Sequence, residues 1–103
     1  IAPSMSGATA RVVSKFKPKT EIIGISPNGA SLRRMQIYWG VRPMKSIEVH
    51  TTEDICSSAI DLVTAKQIVE TGDVVILTAG IPSPTTVGMS KGVSNMMRIA
   101  TVE

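Results

Sequence analysis

The run Ser4-Met5-Ser6-Gly7-Ala8-Thr9 holds the residue types from which an anion cradle can be made. It follows the short stretch Ile1-Ala2-Pro3, which reads as the tail of a strand, and it opens a helical pattern. The first N–H groups of a helix have no intrahelical partner, and the aligned peptide dipoles add positive potential at that end. Serine and threonine hydroxyls add donors, and a glycine lets an anion approach the main chain. Phosphate binding is the chemistry this suits. The same residues also admit a plainer role, with Ser6 acting only as the helix N-cap. A second candidate region is the polar stretch Ser83 to Lys91. It follows the apolar run Val74 to Leu77 and its stop, Ala79-Gly80-Ile81-Pro82. Ligands of open α/β sheets sit just past the carboxyl ends of such strands.

Other reactive residue types form no recognisable constellation. His50 has no histidine, cysteine or carboxylate at ligand spacing, which argues against a metal site. Glu53 and Asp54 are adjacent rather than facing; they complement a helix start and do not make a general acid–base pair. Cys56 reads as a small packed hydrophobe. Trp39 reads as an anchor of the second helix, and Met89, Met96 and Met97 as packing or interface residues. There is no GxxxxGK[ST] and no GxGxxG, so no nucleotide fingerprint is present.

The elements that must position the cradle follow from punctuation and periodicity. A helix is expected from Gly7 to Phe16, with Ala8, Val12 and Phe16 on its buried face and Pro18 forbidding continuation. Glu21 to Ile25 reads as a strand buried on both sides. Asn28 caps a helix over Ala30 to Trp39 that buries Leu32, Met35 and Trp39, and Gly40 closes it. Val41 to Lys45 is a strand that Pro43 confines to an edge. Thr51 or Thr52 caps a third helix with Ile55, Ala59, Leu62 and Val69 inward. Asp73 to Thr78 reads as a core strand with both faces of Val74 to Leu77 covered. Met96 to Thr101 is a last strand, antiparallel to it, and Arg98 marks a wet face. The expected fold is α/β, a three-layer α/β/α sandwich on a mostly parallel sheet with an antiparallel last strand.

Size and charge narrow the class. The chain has 103 residues, room for a single domain with a modest core. With 43% hydrophobic residues it is not disordered, and with 3% aromatics it lacks stacking platforms for single-stranded nucleic acid. Its net charge of +3 comes from scattered basic residues, a solvated surface rather than a nucleic-acid stripe. The single cysteine excludes an internal disulfide and fits a reducing, cytoplasmic setting. No apolar run reaches the roughly 18 residues of a membrane span. The start at Ile1 without methionine suggests a fragment of something longer.

Several segments taken in order resemble the C-terminal domain of pyruvate kinase. They are Ser6-Gly7-Ala8-Thr9-Ala10-Arg11, Lys15-Phe16-Lys17-Pro18, Ile22-Ile23, Tyr38-Trp39-Gly40-Val41, Gly72-Asp73-Val74-Val75, Thr78-Ala79-Gly80-Ile81-Pro82 and Ser94-Asn95-Met96-Met97-Arg98-Ile99. The resemblance implies a parent enzyme that moves a phosphoryl group from phosphoenolpyruvate to ADP with Mg2+ and K+. Catalysis in that family takes place in a separate (β/α)8 barrel and its lid, so no catalytic residue, metal or cofactor is expected in these residues. The resemblance also implies a domain that binds a phosphorylated effector, contacts the catalytic barrel and helps build a homotetramer. Ser4, Met5, Ser6, Gly7 and Thr9 would then form the phosphate loop. Gly80, Lys91 and Gly92 would belong to an effector loop within 80–92.

Met5 and Ala8 stand where many effector-activated members carry a basic residue, which forfeits a charge-assisted hydrogen bond of about 1.5–3 kcal/mol. Lys91 is a candidate replacement. Two other readings stay open: an assembly domain without an effector, and a stand-alone protein with a pyruvate-kinase-like domain.

Overall fold

Capping side chains, glycines and prolines cut this chain into alternating strands and helices. In the computed structural model, which describes residues 1–4, 6–47, 51–80 and 96–103, the order is β1 (Ala2–Pro3), α1 (Ala8–Ser14), β2 (Ile22–Ser26), α2 (Gly29–Met35), β3 (Val41–Lys45), α3 (Thr52–Ala65), β4 (Val74–Ala79) and β5 (Met96–Thr101). This is the expected succession. Asn28 caps α2, its side-chain oxygen accepting from the amides of Ala30 (2.9 Å) and Ser31 (3.2 Å). Thr51 caps α3 by accepting from the Asp54 amide at 3.1 Å. Gly40 has φ +69 and turns the chain into β3.

The strands form two ladders. One is parallel, in the order β1-β2-β3, with Ala2 opposite Gly24 and Ile22 opposite Val41. The other is the antiparallel pair β4-β5, with Val74 opposite Thr101 and Ala79 opposite Met96. Ile1 joins them: its amine donates to the Ile76 carbonyl at 2.7 Å, and the Thr78 amide donates to the Ile1 carbonyl at 3.0 Å. Pro43 stands on the outer strand. The Ser46 amide faces β2, donating to Ser26 O at 3.1 Å. By alternation the Pro43 nitrogen faces away, where a missing N–H breaks no ladder bond.

All five residues of β2 are buried, and their alternation builds two cores. Ile23 and Ile25 point to α3 and meet Cys56, Ala59, Val63, Val75, Leu77 and Val102. Ile22 points the other way, to Ala2, Ala10 and Met35. Helices therefore lie on both faces of the parallel ladder, the expected three layers. Gly24 is on the α1–α2 side. A Cβ there would lie 2.5 Å from Met35 Sδ, 3.1 Å from Val41 Cγ1 and 3.4 Å from Ala10 Cβ.

Four packing expectations fail. The buried residues of α1 are Thr9, Ala10 and Ser14, while Val12 and Phe16 are 41% and 82% exposed. The helix seats its small side chains because it lies close over β2, next to Gly24. Trp39 is 52% exposed and lies beyond α2, which ends at Met35, so it is not a buried anchor of that helix. In β4 only alternate residues are covered: Val75 and Leu77 face α3, whereas Val74 and Ile76 are exposed. The wet face of β5 is not Arg98's. Arg98 lies on the side of Met96 and Ala100, which pack on the core, and Met97 and Ile99 face outward. The expected buried face of α3 is shifted rather than lost: Cys56, Ala59 and Val63 are buried, with Ile55, Leu62 and Val69 half-buried.

Gly24→Ala should lower stability by about 1–3 kcal/mol through overpacking, measured by urea denaturation. Because the clash falls on Met35, Gly24→Ala/Met35→Val should be less unstable than the two single changes added together.

Candidate functional site

Three parallel strands end at one edge of the sheet, and the candidate cradle lies there. The Ser4 amide continues the β1 ladder by donating to Ile25 O at 2.8 Å. The chain then turns on Gly7, which takes φ +82 at the N-cap of α1. This left-handed conformation costs other L residues about 1–2 kcal/mol. Gly7 is also the only type with room at this point: a Cβ would lie 2.9 Å from Met35 Cγ. Ser6 is not the N-cap, because Gly7 holds that position without a side-chain cap. Its hydroxyl still serves the helix start, accepting from the Ala8 amide at 3.3 Å, while the Ser4 hydroxyl accepts from the Gly7 amide at 3.1 Å.

This arrangement leaves two serine hydroxyls whose oxygens accept from the main chain and whose hydrogens are available to donate. Ser6 is exposed and Ser4 half-buried, so the Ser6 hydroxyl is open to solvent. Thr9 belongs to the first turn of α1 but is 1% exposed, enclosed in the fold. Gly80 follows β4 and is exposed. Met5, Lys91 and Gly92 fall outside the described residues, as do His50 and Met89.

A residue from elsewhere reaches the loop. Arg34, on α2, donates through Nη2 to the Ser6 carbonyl at 3.4 Å and to the Ser31 hydroxyl at 3.1 Å. Its guanidinium is exposed beside the turn and supplies the positive charge that Met5 and Ala8 do not. No motif announces Arg34, which is 28 residues from Ser6. The available signal was indirect: Asn28 fixes the phase of α2, and the spacing of three puts Ser31 and Arg34 on one side. The Ala30 and Ser31 amides at the start of α2 are taken by Asn28, as the Gly7 and Ala8 amides at the start of α1 are taken by Ser4 and Ser6.

The remaining charges do structural work. Glu53, in the first turn of α3, receives both guanidinium nitrogens of Arg98, at 3.0 and 3.3 Å. That hydrogen bonding, with the nearby Cys56 thiol and the Glu53 charge, raises the Arg98 pKa above its ordinary value. Cys56 is a buried free cysteine in the core. Among the described residues no group of three or more His, Cys, Asp or Glu side chains could hold a metal ion, and no helix is long and apolar enough to cross a membrane.

The chain matches known proteins over nearly its whole length. Residues 1–100 match the family model described as pyruvate kinase, alpha/beta domain. The pyruvate kinase of Staphylococcus saprophyticus is 33% identical over 99 residues, covering 96% of this chain and 16% of that protein. Those of Geobacillus stearothermophilus and Clostridium acetobutylicum are 34% and 32% identical, over 96% and 100% of this chain and 16% and 21% of theirs. Among solved structures, Cryptosporidium parvum pyruvate kinase in complex with ADP superposes with a TM-score of 0.77 at 26% identity, over 99% of this chain and 19% of that one. The chain thus spans about a fifth or less of these relatives' length.

Gly7→Ala should cost about 1–2 kcal/mol from its backbone alone, with a further loss from the contact with Met35. Denaturant titration should place it well below a Ser6→Ala variant, which removes one exposed hydrogen bond.

Proposed function

This chain belongs to the pyruvate kinase family as its alpha/beta domain, and from that premise we propose that it is the regulatory and assembly unit of an enzyme transferring a phosphoryl group from phosphoenolpyruvate to ADP. In this reading the reaction takes place in the catalytic barrel of the parent chain, where Mg2+ and K+ would also be held. The domain itself binds a phosphorylated small molecule through Ser4, Met5, Ser6 and Gly7; Thr9, also expected there, is enclosed in the fold and is left out of the contact. Gly80, Lys91 and Gly92 are the further residues this reading assigns to the effector.

The observation that carries the effector reading is Arg34 beside Ser6. A phosphate is held more tightly when a cation joins the neutral donors, because charge-assisted hydrogen bonds are about twice as strong as neutral ones. The Ser4 and Ser6 hydroxyls supply the neutral donors. Regulation then follows from linkage: an effector that binds two quaternary states with unequal affinity shifts the enzyme toward the one it prefers. In a homotetramer all subunits would shift together, and a cytoplasmic setting suits a metabolite-sensing enzyme.

A second reading has support of its own. The amides of Gly7 and Ala8 are already bonded to serine hydroxyls, as a mere cap requires. Val74, Ile76, Met97 and Ile99 expose one apolar sheet face, as an assembly module would. In that case the domain contributes contacts and no ligand.

Titration of the intact enzyme with phosphorylated sugars and nucleotides, followed by thermal stability and activity, separates the two. The effector reading expects a saturable stabilisation that Arg34→Met and Ser6→Ala each weaken, Arg34→Met by about tenfold or more. A stabilisation unmoved by both variants refutes the assigned site. No stabilisation by any phosphorylated compound leaves assembly as the function.

A further inference from the structure

We propose that Asn28–Gly29 is a site of self-modification, at which the Gly29 amide nitrogen attacks the Asn28 side-chain carbonyl and converts the cap of α2 from an amide to a carboxylate. Asparagine is among the thermolabile residues, and its short side chain lies against its own main chain in turns. The reaction needs a carbonyl carbon within reach of an unobstructed nitrogen. Asn28 and Gly29 are both exposed. Gly29 is the first residue of α2, so its amide has no intrahelical carbonyl to bond. It also carries no side chain to hinder the approach. Among the described residues, a Cβ there would meet Arg33 Nη1 at 3.7 Å and nothing nearer.

The surroundings suit the charge that develops. Asn28 Oδ1 accepts from the amides of Ala30 at 2.9 Å and Ser31 at 3.2 Å. Both donors face the oxygen that becomes anionic when the nitrogen adds to Cγ. The positive end of α2 acts in the same sense. In the first step the bond from Gly29 N to Asn28 Cγ forms and the Cγ–Nδ2 bond breaks. Ammonia leaves, taking the Gly29 amide proton. Water then opens the cyclic imide at one carbonyl or the other, leaving aspartate or isoaspartate at position 28.

The two products differ in consequence. Aspartate keeps an oxygen over the Ala30 and Ser31 amides and adds negative charge at the positive end of α2. Isoaspartate routes the main chain through the former side chain, so that oxygen is lost and the cap with it. The change falls on the helix that seats Met35 against Gly7 and Gly24 and holds Arg34 at the Ser6 carbonyl. The site does not depend on the effector reading.

The test is incubation of the intact protein that carries this domain in mildly alkaline buffer. Peptide mass spectrometry reads residue 28, an isoaspartyl methyltransferase marks isoaspartate, and thermal melting follows each fraction. Progressive conversion of Asn28 is expected, faster at higher pH because the nitrogen attacks after losing its proton. Gly29→Ala should slow it by about tenfold or more, since a methyl group crowds the nitrogen. That variant should fold, because alanine favours a helix and its Cβ makes an ordinary contact with Arg33. Asn28→Asp should keep the parent's melting midpoint, and the isoaspartyl fraction should melt below it. The proposal is overturned if Asn28 stays an amide in the folded protein over the time in which the urea-unfolded protein converts. It is overturned equally if Gly29→Ala leaves the rate unchanged, or if the isoaspartyl fraction melts with the parent.

Discussion

Met35 lies wholly buried against two positions that have no side chain, and much of this fold depends on that contact. Its Cγ rests where a Cβ of Gly7 would be, and its Sδ where a Cβ of Gly24 would be. One flexible side chain thereby fixes three things: the distance of α2 from β2, the position of the turn that starts α1, and the depth at which α1 lies over the sheet. A thioether fills such an irregular gap more readily than a branched residue could. The same seating of α2 carries Arg34 to the carbonyl of Ser6. The geometry of the candidate anion turn is therefore set from a neighbouring helix as much as from the turn's own residues.

The order of elements was legible because its boundaries rest on local chemistry. Asn28 and Thr51 cap helices wherever they stand before a helical run, and Pro43 fits an edge strand for want of an N–H. The failures concern which face is buried, and that is a tertiary matter. In α1 the spacing of four fits Ala8-Val12-Phe16 and Ala10-Ser14 equally well. Choosing the larger side chains is wrong where a helix lies close over a glycine. In β4 the unbroken run Val74 to Leu77 reads as covered twice, and here a helix covers it once. Arg34 was hidden because only the folding of α2 against β2 brings it to residues 28 positions earlier.

The two ladders are covered differently. The parallel one has α1 and α2 on one face and α3 on the other. The antiparallel one has α3 on its inner face only, so Val74, Ile76, Met97 and Ile99 form a contiguous apolar surface through the pairings Val74–Thr101, Ile76–Ile99 and Thr78–Met97. Such a surface is unusual for a molecule meant to stay alone in water. Arg98 gives β5 its orientation: a charge on the inner side, held by Glu53, would lose its partner if the strand slipped by one residue.

The outer margins of the sheet are unlike each other. Along β3 the nitrogen turned to solvent in mid-strand is a proline's, so an incoming strand would find no donor there. Along β5 the six residues from Met96 to Thr101 include no proline, and no described residue pairs with their far side. Among the described residues, an added strand would find an unbroken row of donors along β5 and a gap in that row along β3. Two such margins brought together consume each other and leave only the proline-guarded rims outside. Strand-to-strand association through this module would therefore favour β5 over β3.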